Sequence, residues 1–281
     1  MIQIEAEVQV DDAIVIAAFE GWNDAGEAAT DAVDHLLAGW RAQLVASMDP
    51  EDYYDFQVVR PHVGFDGEGA REISWRTTRI WHCSVGPDER DVLLVTGIEP
   101  NLRWRSFCEE LLAYLDEIGA TQLVTLGALL ADVPHTRPVP ITGVSSDPEL
   151  AERHSLEPSR YVGPTGIVGV ISELAGDAGM QTMSYWAAVP HYVAQPPAPK
   201  ATLALLGALE DLVGVSIDVR TLPEDAKAWE RGVDELASDD SDVADYVRSL
   251  EEERDTADLP EATGDAIARE FERYLKRRGE S

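Results

Sequence analysis

Two cysteines, Cys83 and Cys108, are too few in 281 residues to staple a fold with disulfides or to build a cysteine-rich zinc site. Cys108 also falls on the apolar stripe of a helical pattern, so both read as reduced thiols of a cytoplasmic protein. Lysine is equally scarce. Lys200, Lys227 and Lys276 leave nineteen arginines among 22 basic residues, against 53 acids and a formal charge of −31. So acidic a chain lacks the basic surface that displaces counterions from a polyphosphate, which argues against nucleic acid and against an anionic membrane surface as partners. The opening MIQIEAEVQVDD has no basic region followed by an apolar one, and no run reaches the roughly 18 apolar residues of a membrane span. A cytoplasmic location is therefore expected. Catalytic signatures are missing as well: there is no G-x-S-x-G, no H-E-x-x-H, and His35, His62, His82, His135, His154 and His191 show no metal-ligand spacing. No catalytic residue, metal or cofactor is implied.

What is present is a long globular pattern. With 44% of residues hydrophobic and 27% charged, the chain can fill one large domain, or one domain with a substantial appendage. The runs AIVIAAF (13–19), AQLVAS (42–47), DVLLVTG (91–97), TQLVTLG (121–127) and TMSYWAAV (182–189) read as buried strands. Residues 24–40, 102–118, 166–178 and 199–213 read as helices between them. This alternation predicts an α/β domain with helices on both faces of a largely parallel sheet. Residues 56–85 break the pattern, because FQVVRPHVGF and REISWRTTRIWHCSV alternate like half-exposed strands around a glycine-rich turn and predict an antiparallel excursion.

After Asp218 the strands stop. Residues 223–238, 241–254 and 261–278 carry helical periodicity only, which divides the chain into an α/β domain, 1–217, and a helical extension, 218–281. The extension holds twenty acids and ten bases, and apolar stripes too thin for its helices to stand alone. They need a surface on the main domain or on a neighbouring subunit. Acidic runs such as EEERD read as solvated faces.

The stretch FEGWNDAGEAATDAVDHL (19–36) leads two glycines into a helix, the usual setting of a phosphate site. Gly21 and Gly26 have the glycine spacing of a P-loop, but Glu27 and Ala28 stand where Lys and Ser/Thr belong, and Glu20 and Asp24 would repel an anion. Asp24 and Glu27 read instead as a D-x-x-E capping pair. In an open α/β sheet ligands gather beyond the carboxyl ends of the strands. There the sequence puts Asn23, Glu99, Arg103, Arg105, His135, Arg137 and His191, with Thr165 in a second glycine-rich turn, GPTGIVGV, that lacks acids. Those eight residues are the ligand-binding candidates. If they converge, the arginines and the 163–166 turn hold an anionic group while Glu99 or His135 moves a proton. If they do not, His135, Arg137 and His191 tie down proline-rich loops by hydrogen bonds.

Six blocks, FEGWNDAG (19–26), YYDFQVVRP (53–61), GIEPNLRWRSFCEELL (97–112), VTLGALLADVPHTRPVP (124–140), GPTGIVGV (163–170) and WAAVPHYVAQPPAPKATLALL (186–206), give the chain a family resemblance. It resembles the bacterial branch of the proteasome assembly chaperone family over most of residues 1–215. The resemblance implies a three-layer αβα fold with a mostly parallel, mixed sheet, like that of nucleoside phosphorylases and peptidyl hydrolases, without an established catalytic centre. It also implies self-association as a trimer, and relatives in other lineages help proteasome α subunits assemble. Some of those relatives dock through a terminal hydrophobic–tyrosine–any-residue tail; here the chain ends YLKRRGES, with Tyr274 seven residues from the end, so that mode is not expected. A non-enzymatic, oligomeric binding protein with proteasome subunits as partners is the reading that follows. Its alternative is a phosphorylase-like or hydrolase-like small-molecule enzyme using the strand-end residues.

Overall fold

The computed structural model describes residues 1–67 and 69–258. Ten strands run β1 (Ile2–Ile4), β2 (Ala13–Glu20), β3 (Gln43–Met48), β4 (His62–Phe65), β5 (Arg71–Ser74), β6 (Arg79–Val85), β7 (Arg90–Ile98), β8 (Ala120–Ala131), β9 (Ile141–Val144) and β10 (Gln181–Pro190). The helices are α1 (Ala28–Gly39), α2 (Trp104–Ile118), α3 (Pro148–His154), α4 (Ile167–Asp177), α5 (Pro199–Val213), α6 (Leu222–Ser238) and α7 (Ser241–Asp258). Eight strands form one mixed sheet in the order β1-β3-β6-β7-β2-β8-β10-β9. Its centre, β7-β2-β8-β10, is parallel, while β1, β3, β6 and β9 pair antiparallel at the flanks. The excursion expected over residues 56–85 divides in two: β4 and β5 form a separate antiparallel hairpin, and β6 joins the main sheet.

Alternation along the central strands produces the three layers. Ile14 and Ile16 of β2, with Val92 and Leu94 of β7, pack toward Ala29, Val33 and Leu36 of α1 and Leu205 and Leu209 of α5. Val15, Ala17 and Phe19, with Leu93 and Val95, turn the other way onto Phe107, Leu111 and Leu115 of α2 and Ile167 and Ile171 of α4. A strand buried on both faces reads as an unbroken apolar run, which is why these strands stand out in the sequence. The boundaries of α5 follow from its ends, Pro199 at the first turn and Gly214 beyond the last at φ 71°.

The first helix differs from its expected span of 24–40. Gly26 and Glu27 both adopt left-handed backbone, φ 62° and 56°, so regular α-helix begins only at Ala28. Packing imposes the kink: a Cβ on Gly26 would stand 2.6 Å from Cβ of Ala198. β1, β9 and the short α3 also emerge where no element was expected, each too short for hydrophobic periodicity to register. α6 and α7 match their expected positions, whereas the helix expected over 261–278 lies outside the described residues. Among the described residues no helix is long and apolar enough to cross a membrane.

Both cysteines are interior. Cys83 and Cys108 are 2% and 0% exposed, and burial, the main cause, pushes each thiol up to about 12. Thiolate is the reactive species, so both thiols should resist a disulfide-exchange reagent in the native protein and titrate together on unfolding. Rapid labelling of the folded chain would contradict this burial.

Candidate functional site

The parallel strands end on one edge, and the loops there hold the polar candidates in two groups. The first lies over β2 and β7. Glu99, just past β7, turns its carboxylate onto the start of α4, where Oε1 accepts the backbone N–H of Ile167 at 2.8 Å. Gly166 makes this approach possible: a Cβ there would come within 1.9 Å of Oδ1 of Asn23 and 2.7 Å of Oε1 of Glu99. Thr165 lies against the same turn, its Oγ1 filling the space a Cβ on Gly169 would need. Asn23 Oδ1 is buried and has no hydrogen-bond partner among the described residues. The sequence leaves the donors of GPTGIVGV free for an anion; in the fold a carboxylate of the chain itself already sits there.

Asp24 performs the capping expected of it, without its partner. Oδ1 accepts the N–H groups of Ala29 at 2.7 Å and Thr30 at 3.3 Å, and Oδ2 accepts the Thr30 hydroxyl. Glu27 is exposed and returns no bond among the described residues, because the kink at Gly26 carries it away from the reciprocal position of a capping box. Desolvation is the dominant influence on the Asp24 carboxyl and pushes its pKa to about 6, outweighing those hydrogen bonds. The donors of this helix start are consumed internally, which answers the phosphate question raised by the two glycines.

The second group lies over β8 and β10, and α6 and α7 cover it. His135 is 2% exposed and is held from three sides. Its backbone N–H donates to the Tyr192 hydroxyl at 2.8 Å, so that hydroxyl's own proton points to Nδ1, also at 2.8 Å. This leaves the ring proton on Nε2, directed at Asp234 of α6 at 3.0 Å. Lys200 reaches both the His135 carbonyl and Glu230 of α6. Arg137 forms a fork with Asp255 of α7, Nε to Oδ1 at 2.7 Å and Nη2 to Oδ2 at 2.8 Å, and meets Glu251 at 3.2 Å. The fork raises the guanidinium pKa and, above all other influences, lowers that of Asp255. His191 pairs with Asp132 at 3.1 Å.

Arg103 and Arg105 belong to neither group. Arg103, at the left-handed N-cap of α2, pairs with Asp52 across an exposed gap of 2.6 Å, and Arg105 projects to solvent from the first turn. The structure thus brings Asn23, Glu99 and Thr165 together, sets His135, Arg137 and His191 beside them under the extension, and leaves the two arginines apart.

Two kinds of residue on this edge escape sequence reasoning. The run EEERD reads as solvated, yet its Glu251 and Asp255 pair with Arg137, much as Glu230 and Asp234 of α6 pair with Lys200 and His135; Glu252 and Glu253 of the run are exposed. The second kind is apolar. Trp22 past β2 is 64% exposed, Leu102 past β7 53%, Leu129 and Leu130 at the end of β8 45% and 49%, and Tyr161 and Val162 before α4 68% and 95%. The β4–β5 hairpin leaves the same edge between β3 and β6 and shows Val63, Phe65 and Ile73 to solvent. Apolar residues in loops carry no periodicity, so only their convergence on one edge makes them a surface.

Relatives place this geometry in context. A PAC2 family protein from Streptomyces avermitilis is 59% identical, with a TM-score of 0.79 over 84% of this chain and 100% of its own. A Mycobacterium tuberculosis protein described as a proteasome-assembly chaperone homologue is 50% identical, with a TM-score of 0.75 over 83% of this chain and 99% of its own. PbaB of Pyrococcus furiosus, an archaeal proteasome activator, is 18% identical with a TM-score of 0.67 over 84% of this chain and 98% of its own, a likeness of fold alone. No curated protein matches the chain. The PAC2 family model matches residues 18–237, from the second half of β2 to the last turn of α6, leaving α7 beyond it. Over that span, with its mixed sheet and crowded strand-end edge, the chain belongs to the PAC2 family.

Proposed function

We propose that this chain is a non-enzymatic, self-associating protein-binding factor of the proteasome-related chaperone type, with the carboxyl edge of its sheet as the contact surface. One observation carries the reading: Trp22, Leu102, Leu129, Leu130, Tyr161 and Val162 are all exposed on the edge where an enzyme of this fold class would place a closed pocket. Apolar area gathered on one side of so acidic a protein is surface that a partner removes from water. The polar side chains of the same edge are largely spent on intramolecular bonds, Glu99 on the α4 N-terminus and His135, Arg137 and His191 on carboxylates. A relative at 50% identity described as a proteasome-assembly chaperone homologue supports proteasome subunits as the heterologous partners. The trimer that the family resemblance implies is the proposed self-assembly.

Affinity capture of the tagged chain from its native cell tests the partner. Proteasome α subunits should be enriched and should be lost when Trp22 and Leu130 are both replaced by Ser. Enrichment of no proteasome subunit overturns the reading. Sedimentation of the purified chain tests the assembly, with three times the chain mass expected and a monomer at micromolar concentration counting against it.

A further inference from the structure

α7 rests on the β8–β10 edge through few but specific contacts. Of its apolar residues Val247 and Leu250 are buried, while Val243 and Ala244 are only partly so. Glu251 accepts from Arg137 at 3.2 Å and from the Thr136 hydroxyl, and Asp255, one turn on, takes the two-pronged bond from the same guanidinium. Tyr246 donates its hydroxyl to Asp132 at 2.9 Å and sets its ring edge-on to His191 and Tyr192, with centroids 5.4 and 6.1 Å apart. The surface beneath α7 therefore reads a pattern: a phenol, then an apolar pair, then two carboxylates at i and i+4 on one helical face. With seven acids against two bases over 241–258, α7 gains its order from that surface more than from its own propensity. It also lies beyond the residues the family model matches.

We propose that the surface under α7 is a docking site for an acidic amphipathic helix of a partner protein, and that α7 is its built-in competitor. The proposal rests on the protein-binding reading above and names the chemistry of one partner. Charge complementarity selects the occupant: Arg137 presents a fork that fits paired carboxylates, and Asp132 accepts the hydroxyl of the tyrosine one turn before them. Only residues 239 and 240 join α6 to α7, so α7 is present at high effective concentration and a partner helix binds only when α7 lifts. The exposed ion pairs that hold it weaken with salt.

A fluorescein-labelled peptide of residues 241–258 supplies the test, titrated by anisotropy against the full-length chain. The double variant Glu251→Gln with Asp255→Asn loosens α7 in place while leaving Arg137 available. It should bind the peptide about tenfold more tightly than wild type, since more of it is open. Adding Arg137→Ala should remove that gain, and a scrambled peptide of equal charge should not bind. Equal binding to wild type and double variant overturns the proposal, as does a gain that survives Arg137→Ala or tolerates scrambling. Hydrogen exchange of the wild type gives a second reading that needs no variant: α7 amides should exchange faster than those of α5 and faster still as salt rises, and protection equal to α5 refutes a removable cover. If wild-type chains self-associate and the double variant does not, the occupant is a second copy and the heterologous partner falls. No proteasome subunit enters the peptide assay, so its outcome is independent of affinity capture.

Discussion

Replacing Phe107 by Ala should destabilise the protein by about 3–5 kcal/mol, read as a shift of the chemical denaturation midpoint at unchanged slope. Phe107 is 0% exposed and sits between α2 and the sheet. Its ring meets Phe19 of β2 edge-on, with centroids 6.0 Å apart at 71°, and Tyr53 at 5.4 Å and 83°. Truncation removes both aromatic contacts and leaves a void in the core that Phe107 shares with Leu111 and Val95, beside a close-packed sheet that cannot close over it. Phe107→Leu keeps most of the volume and should cost about 1 kcal/mol. A loss below 1 kcal/mol for the alanine variant would mean that α2 does not pack as described.

The second large effect depends on pH and belongs to Asp24. Its folded carboxyl holds its proton up to about pH 6, against an ordinary value of 3.8. The folded state therefore binds more protons than the unfolded chain between those values, and the sign follows: the contribution of Asp24 to stability is greatest below about pH 4 and declines as pH rises through 6. Asp24→Asn keeps an acceptor for Ala29 and Thr30 without a buried charge. The Asn variant should match wild type near pH 4 and exceed it by about 2–3 kcal/mol at pH 8, which is the shift converted to free energy. Asp24→Ala leaves those donors unpaired and should lie about 1–3 kcal/mol below the Asn variant at every pH. Denaturation curves of the three proteins at pH 4, 6 and 8 decide it, and a constant difference between Asn variant and wild type would refute the buried-charge account.

The elements legible in the sequence are those whose signal repeats along the chain. AIVIAAF and DVLLVTG announce strands buried on both faces, and the stripe from Trp104 to Ile118 announces α2 within two residues of its observed start. α6 and α7 were equally readable from their apolar spacing. Asp24 could be assigned as a helix cap because its role is local, involving residues five and six positions away. Glu27 could not, since its exclusion from the cap depends on Gly26 meeting Ala198, which is 172 positions away in sequence.

The candidate site was legible as a set of residue types beyond strand ends but not as an arrangement. Glu99 and the GPTGIVGV turn read as an acid and an anion cradle; their juxtaposition makes the one the occupant of the other. Likewise Glu251 and Asp255 belong to a run that reads as solvated until α7 is placed over Arg137.

By itself, then, the amino-acid sequence determined the α/β class, the order of the central strands and the helices between them, the acidic C-terminal composition and the family, because each rests on periodicity, composition or ordered blocks within the chain. Tertiary structure alone decided that β4 and β5 leave the main sheet, that six or more apolar side chains share one exposed edge, and that the extension folds back to pair with His135 and Arg137. The reason is range: hydrophobic spacing acts over one helical turn or one pleat, whereas an ion pair 118 positions apart exists only after the whole sheet has brought its partners together.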